Sequence, residues 1–428
     1  MKLINKAGFS NNKQFYGFLA VVLSGQLIYS CFEAFKGTFY NVLLQVLGIT
    51  NTQMGILFSL IGIAVFFYVP GGWVNNRFSV RSILITSLIS RMLSVFIIVF
   101  FNPGFKVLSV IATIWGLTDA VFWPAVLNGV TMMSGEDNKA LGFGLLESIR
   151  RATEMGMNVV LVGVMAALGG SAIIFKGGML VYNLLIIPVV IFVYKYVPKN
   201  EIKVSENENK STAAFKGLLH VLKMPTVWMA SLTALSVYWC YINLIYTVPY
   251  LQAVFNISQA QASIFGIINT GAMGVAAGLI SGTISDYIFK SSSKMMFVSL
   301  ALTAITLVLT LIIPKSENML IINIILLMLF SFSIFLSKGI ILAPITEANV
   351  PKDYSGSSMS VGSFAAYAPV FWVYGLNGKI IDTYEPIVAY QKIFKIGVVV
   401  ALLGMICAFI LLMMNKKNQR SREDKINA

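Results

Sequence analysis

The sequence predicts an all-α polytopic membrane protein of twelve transmembrane helices in two pseudo-symmetric six-helix bundles, and three observations predict it. Of the 428 residues, 57% are hydrophobic and 11% charged, whereas soluble domains carry about 25% charged residues. The apolar residues fall in runs long enough to cross a bilayer as helices, about 20 residues each. A polar, charged stretch from Pro198 to Lys223 divides those runs six and six.

A net charge of +14 would ordinarily point to nucleic acid or an anionic surface. Here most Lys and Arg fall in the termini and loops of one side, which orients the chain with both termini cytoplasmic. No nucleic-acid partner is expected. Cys31, Cys240 and Cys407 each lie in an apolar run without disulfide or metal spacing and read as small buried hydrophobes. His220 sits in the polar linker, facing solvent. The first apolar run is too long for a cleavable leader and has no small-residue cleavage pattern, so it is expected to remain as a helix. No phosphate-cradling Gly-x4-Gly-Lys-Ser/Thr motif, nucleophile–base pair or metal-ligand spacing is visible, so neither enzyme chemistry, cofactor nor metal is expected.

Taken in order, span 1 is expected from Phe15 to Leu47 and carries Glu33 and Lys36 at i,i+3. Gly48 to Thr52 turns the chain, with Asn51 or Thr52 capping span 2, which ends near Val74. A basic connection through Arg77 and Arg81 leads to span 3 (Ser82 to Phe101), with Arg91 at mid-span. Asn102-Pro103-Gly104 is a turn; span 4 follows to Met133, with Asp119, Trp123 and Pro124 inside it. Span 5 ends at Gly169-Gly170 and span 6 near Tyr196. After the linker, spans 7 to 12 are expected at Pro225 to Ala253, Gln259 to Ile288, Met295 to Ile313, Met319 to Val350, Gly356 to Gly378 and Val388 to Met414. The domains are then a first bundle (1–197), a cytoplasmic linker (198–224), a second bundle (225–414) and a basic cytoplasmic tail (415–428).

Span 5, from Ala140 to Leu168, is the most informative. Glu147, Arg150, Arg151 and Glu154 fall within a stripe about 100° wide, and Arg150 lies about 15 Å along the helix, near the bilayer midplane. A charge there costs about 2.5–3.5 kcal/mol on insertion scales unless it faces a partner or a wet cavity. The stripe therefore implies a polar interior shared with other helices, as a transport path requires.

Two internal echoes cross the linker. Pro124-Ala-Val-Leu-Asn-Gly-Val130 in span 4 answers Pro344-Ile-Thr-Glu-Ala-Asn-Val350 in span 10, and Gly72-Trp-Val-Asn-Asn76-Arg77 after span 2 answers Gly282-Thr-Ile-Ser-Asp286-Tyr287 after span 8. With the six-plus-six pattern they favour duplicated halves. On these residues the chain resembles the major facilitator superfamily, whose loop consensus is Gly-x-Leu-Ala-Asp-Arg-x-Gly-Arg-Arg. Here Asn76 replaces the aspartate and Ser79 the second glycine, while the second copy keeps Asp286 but has Tyr287 for arginine. Phe143-Gly144-Leu-Leu-Glu147-Ser-Ile-Arg150, Ala343-Pro344-Ile-Thr-Glu347-Ala348 and Gly362-Ser-Phe364…Tyr367-Ala-Pro369 look like a sparsely characterised branch of bacterial inner-membrane permeases within it.

The resemblance implies that spans 1, 4, 7 and 10 form a central cavity with faces of 2, 5, 8 and 11, and that Arg77, Arg81 and Asp286 are gate residues. For this fold we expect a secondary transporter, monomeric, moving a small organic anion by alternating access with protons as coupling ion; its partners are that substrate and membrane lipid. The expected substrate site is Lys36, Arg150 and Lys338, whose charges suit a carboxylate or phosphate, with Tyr238, Tyr241, Tyr246, Asn243 and Asn269 as aromatic and hydrogen-bonding walls. Glu147, Glu154 and Asp119 are the expected proton carriers. The competing account pairs the charges internally: Glu33 with Lys36, Glu147 with Arg150 or Arg151, and Arg91 with Asp119. The rival function is an efflux permease for amphipathic or cationic compounds, using span 7 with Glu33 and Asp119. The span 8 glycines Gly266, Gly271, Gly274 and Gly278 are expected to permit close helix packing.

Overall fold

A computed structural model describes residues 9, 11–67, 71, 74–75, 77–134, 139–199, 218–348, 350–351 and 355–427. Every regular element among them is helical. Among the described residues, ten helices are long and apolar enough to cross a membrane, or up to eleven if the bent pair Tyr40–Leu47 and Asn51–Phe67, which meet at 98°, forms one span. The difference from the expected twelve lies in spans 1 and 2. Span 1 is split into Asn12–Ser30, a single 3-10 turn Glu33–Phe35 and Tyr40–Leu47. Span 2 runs as an α-helix over Asn51–Ile61 and as a 3-10 helix over Gly62–Phe67.

Local chemistry sets the ends. Gly48 at φ 63° closes the first hairpin in the left-handed region. Span 2 is capped by Thr50, one residue before the expected cap: its hydroxyl accepts from the Gln53 N–H at 3.2 Å and the Gln53 side chain accepts from the Thr50 N–H at 3.1 Å. That reciprocal Thr-x-x-Gln pairing satisfies two of the donors left open at a helix start, which Asn51 alone would not do. Asn102 (φ 44°) ends span 3, and Gly169 and Gly170 (φ 96° and 67°) end span 5 where expected.

The chain forms two compact units, Met1–Ser205 with Ser258–Ile267, and Glu206–Ile257 with Ile268–Ala428. In the first, Phe18, Val21, Leu84, Leu88, Phe122, Val126, Ile186 and Val193 make a buried core of spans 1, 3, 4 and 6. Spans 2 and 4 touch through small residues: a Cβ on Gly116 would lie 2.5 Å from the Leu60 carbonyl oxygen and 2.8 Å from that of Ile61. In a bilayer such close approach replaces the hydrophobic drive between helices.

In the second unit, buried polar contacts add to an apolar core that includes Val227, Ala230, Ile345 and Leu411. Ser299 Oγ donates to the Ser333 carbonyl at 2.6 Å, and the Thr303 and Ser333 hydroxyls meet at 2.8 Å, tying span 9 to span 10. Spans 7, 10 and 11 are interrupted: span 7 by a 3-10 turn at Leu244–Tyr246, span 10 between Gly339 and Ala343, span 11 by Ala368–Phe371. Span 8 contains two π-helical stretches, Ile267–Ala272 and Ile284–Phe289. Of its glycines, Gly274 lies against the Phe335 ring of span 10, whereas a Cβ on Gly278 would meet nothing within 4 Å. The final helix, Pro386–Asn427, runs 42 residues. The basic tail expected to begin at Asn415 thus continues the helix, because no Gly or Pro stands there to stop it.

Candidate functional site

Among the described residues, the most enclosed charged group is Arg91, 2% exposed in the middle of span 3. Its Nη1 lies 2.7 Å from Glu33 Oε1, and its Nη2 lies 3.3 Å from both oxygens of Asp119. The guanidinium lies 4.0 Å from the centre of the Trp115 ring. The expected pairing of Arg91 with Asp119 is present, but Glu33 reaches Arg91 and not Lys36. Glu33 opens the 3-10 turn that breaks span 1, and its carboxylate is directed to Arg91 of span 3 and not along its own turn to Lys36. Lys36 caps that turn, and its Nζ stands 5.3 Å from the centre of the Phe58 ring.

Span 5 is a continuous helix, Lys139–Leu168. Its stripe divides. Arg151 and Glu154 pair with each other at 3.3 Å. The Arg150 guanidinium stands 4.7 Å from the centre of the Trp123 ring on span 4. The Glu147 side chain lies outside the described part of the molecule.

In the second unit, Lys338 occupies the last turn of the first half of span 10. Its Nζ is 4.3 Å from the centre of the Tyr241 ring. Tyr241 packs on Tyr238 (5.3 Å) and Phe335 (5.7 Å), and Tyr238 packs edge-on against Tyr367 of span 11 (4.9 Å). Half-buried Lys338, Tyr238 and Tyr241 therefore form one cluster across spans 7, 10 and 11.

The other polar residues expected there serve the bundle. Asn243 accepts from Asn377 Nδ2 at 2.8 Å, Asn269 donates to Thr247 Oγ1 at 3.0 Å, and the Tyr246 hydroxyl donates to the Tyr374 carbonyl at 3.3 Å. All three are fully buried. Of the gate residues, Arg77 is exposed, Arg81 stands 4.0 Å from the centre of the Tyr194 ring, and the Asp286 side chain lies outside the described part.

Glu347 had no assigned role from sequence and turns out to be among the most engaged acids. At the end of span 10 it accepts from the Ser291 hydroxyl (3.0 Å), the Ser292 N–H, and the N–H and hydroxyl of Ser293 (3.1 and 2.6 Å). A carboxylate on the open N–H groups of a helix start is favourable by hydrogen bonding and by the helix dipole. Nothing local links residues 54 to 56 positions apart, so no pattern could have announced it.

Membrane-length helices broken at charged residues, with cations and aromatic side chains inside them, define a multi-pass membrane protein of transporter type. The chain belongs to the Major Facilitator Superfamily, whose family model matches residues 22–374. It is 26% identical over 419 residues to the inner membrane protein YihN of Escherichia coli (strain K12), covering 95% of this chain and 96% of that one. It is 24% identical to the inner membrane protein YqcE of the same strain, covering 86% and 88%. Among solved structures, the nucleoside transporter NupG superposes with TM-score 0.70 at 13% identity, covering 94% of this chain and 99% of that one. A bacterial homologue of the human lysosomal transporter Spinster superposes with TM-score 0.68 at 14% identity, covering 95% and 98%. The chain is accordingly a transporter and not an enzyme.

Proposed function

We propose that this protein is a secondary active transporter of the bacterial inner membrane, both termini cytoplasmic and monomeric, that moves a small organic anion by alternating access in symport with protons. A carboxylate, a sugar acid or a sugar phosphate fits the reading. The observation that carries it is the setting of Arg150, Lys338 and Lys36, each inside a span and each over an aromatic ring. Ring contacts of this kind are worth about 0.5–2 kcal/mol, and they take the face of a guanidinium while a carboxylate or phosphate takes its edge. Lys36 and Lys338 also flank the breaks of spans 1 and 10, and interrupted helices are where transporters of this architecture hold charged ligands.

Tyr238 and Tyr241 supply walls for the carbon skeleton. Asn243, Asn269 and Tyr246 act at one remove, keeping spans 7, 8 and 11 in place. Glu147, Glu154 and Asp119 remain the coupling candidates, with Glu154 held by Arg151 and Asp119 by Arg91, and Arg77, Arg81 and Asp286 the candidate gate. The efflux alternative draws on Glu33 and Asp119 as a cation site, and the engagement of both with Arg91 favours the anion reading over it.

A thermal-shift screen of the purified protein against organic anions, sugars and cations tests this, because a ligand stabilises the state it binds. An anion is expected to raise the melting temperature of the wild type and to lose that effect in Lys338→Gln and Arg150→Gln, which still fold. Stabilisation by cations alone, unaffected by either substitution, would replace the proposal with the efflux reading.

A further inference from the structure

The cluster around Arg91 has an unbalanced charge count. One guanidinium faces two carboxylates, Glu33 and Asp119, whose side chains are only 12% and 8% exposed. Glu33 Oε2 is buried and accepts no hydrogen bond. Among the described residues, the other groups packed against the cluster add no cation paired with either carboxylate. Span 1 adds Tyr29, whose ring centre is 5.9 Å from the guanidinium, and the buried thiol of Cys31. Span 4 adds the Trp115 ring and span 2 has no ionisable residue between Asn51 and Phe67. Span 6, packed on span 3, has Tyr182 donating to the Met157 carbonyl, Lys176 donating to Asn102 and Lys195 over the Tyr196 ring. Span 5, packed on span 4, has Arg150 over Trp123 and the Arg151–Glu154 pair, with the Glu147 side chain outside the described part. Lys36 stands over Phe58.

We propose that Glu33, Arg91 and Asp119 form a proton-binding site in which the two carboxylates hold one proton between them and the arginine balances the remaining charge. Two carboxylates sharing a cramped apolar site ionise as a pair, so the proton belongs to the dyad. When it leaves for water, a net negative charge stays inside the bundle, a state that apolar surroundings disfavour. Glu33 is placed to relieve it. It sits in a single 3-10 turn between two helical pieces, where the backbone can shift without unwinding a continuous helix. Occupancy of the site would thus bias the conformation of span 1, which also carries Lys36. The role of this proton as coupling ion rests on the proton-symport reading above; its presence in the dyad does not.

Infrared difference spectra of the purified full-length protein at neutral pH test the site without any substrate. Relative to Glu33→Gln and to Asp119→Asn, the wild type should show a carboxylic-acid C=O band that shifts in D2O. Each variant leaves one carboxylate on one guanidinium and should lack that band. A wild type with no acid band, or a band that survives either substitution, overturns the proposal. Should a variant fail to fold, the wild type decides alone. Raising the pH from neutral to alkaline must convert an acid band to a carboxylate band, and no such conversion overturns it. If the acid band behaves as expected while transport ignores a proton gradient, the site stands and the symport reading fails.

Discussion

Replacing Arg91 by Gln is the sharpest test of how the first unit is held together. The substitution removes the one cation paired with two enclosed carboxylates and deletes hydrogen bonds of 2.7 and 3.3 Å between spans 3, 1 and 4. Breaking a buried ion pair by removing one partner costs about 3–5 kcal/mol, most of it from the charge left behind. Thermal unfolding in detergent should therefore show Arg91→Gln markedly less stable than wild type. The triple variant Arg91→Gln, Glu33→Gln, Asp119→Asn carries no charge and should recover a large part of the loss. Because membrane proteins commonly unfold irreversibly, rank order at one scan rate is the readout. An Arg91→Gln protein as stable as wild type, or a triple variant no better than the single, would refute the reasoning.

Three further outcomes are expected. Glu347→Ala should cost about 2–3 kcal/mol in the same assay, since it strips charged acceptors from the start of span 9; an unchanged melting temperature would mean those contacts contribute nothing. Gly116→Ala should destabilise by about 1–3 kcal/mol because the new methyl group meets the Leu60 and Ile61 carbonyls. Gly163→Ala, with nothing within 4 Å, should be neutral or gain up to about 1 kcal/mol of helix propensity, and equal effects at the two sites would contradict the packing described. Thr50→Ala should cost about 0.5–2 kcal/mol by opening the capping box, and Asn51→Ala much less; the reverse order would restore Asn51 as the cap.

Helical class, membrane insertion and most span positions were legible because they follow from long apolar runs and from glycine and proline at the ends. Gly169-Gly170 and Asn102-Pro103-Gly104 turn the chain where their residue types require it. The break in span 7 was not legible, because no Gly or Pro marks Leu244 to Tyr246, and those in spans 1 and 10, although they carry Gly37 and Gly339, lie inside long apolar runs that read as continuous helices. Glu33, read as one face of a helix, suggested a partner three residues away. Its real partner comes from another span, 58 positions on. The Arg91–Asp119 pair was legible because spans 3 and 4 are joined by a short turn and both charges sit mid-span. The cap Thr50 was visible in principle as Thr-x-x-Gln. Glu347 was not, since its partners begin a different helix.

The central claim is that the cations inside the spans serve an anionic substrate. Uptake of labelled carboxylates, sugar acids and sugar phosphates into proteoliposomes, with and without an imposed proton gradient, tests it most directly. Saturable uptake of at least one anion, driven by the gradient and lost in Lys338→Gln, is the predicted result. Vesicles that take up none of these anions yet move amphipathic cations would contradict it.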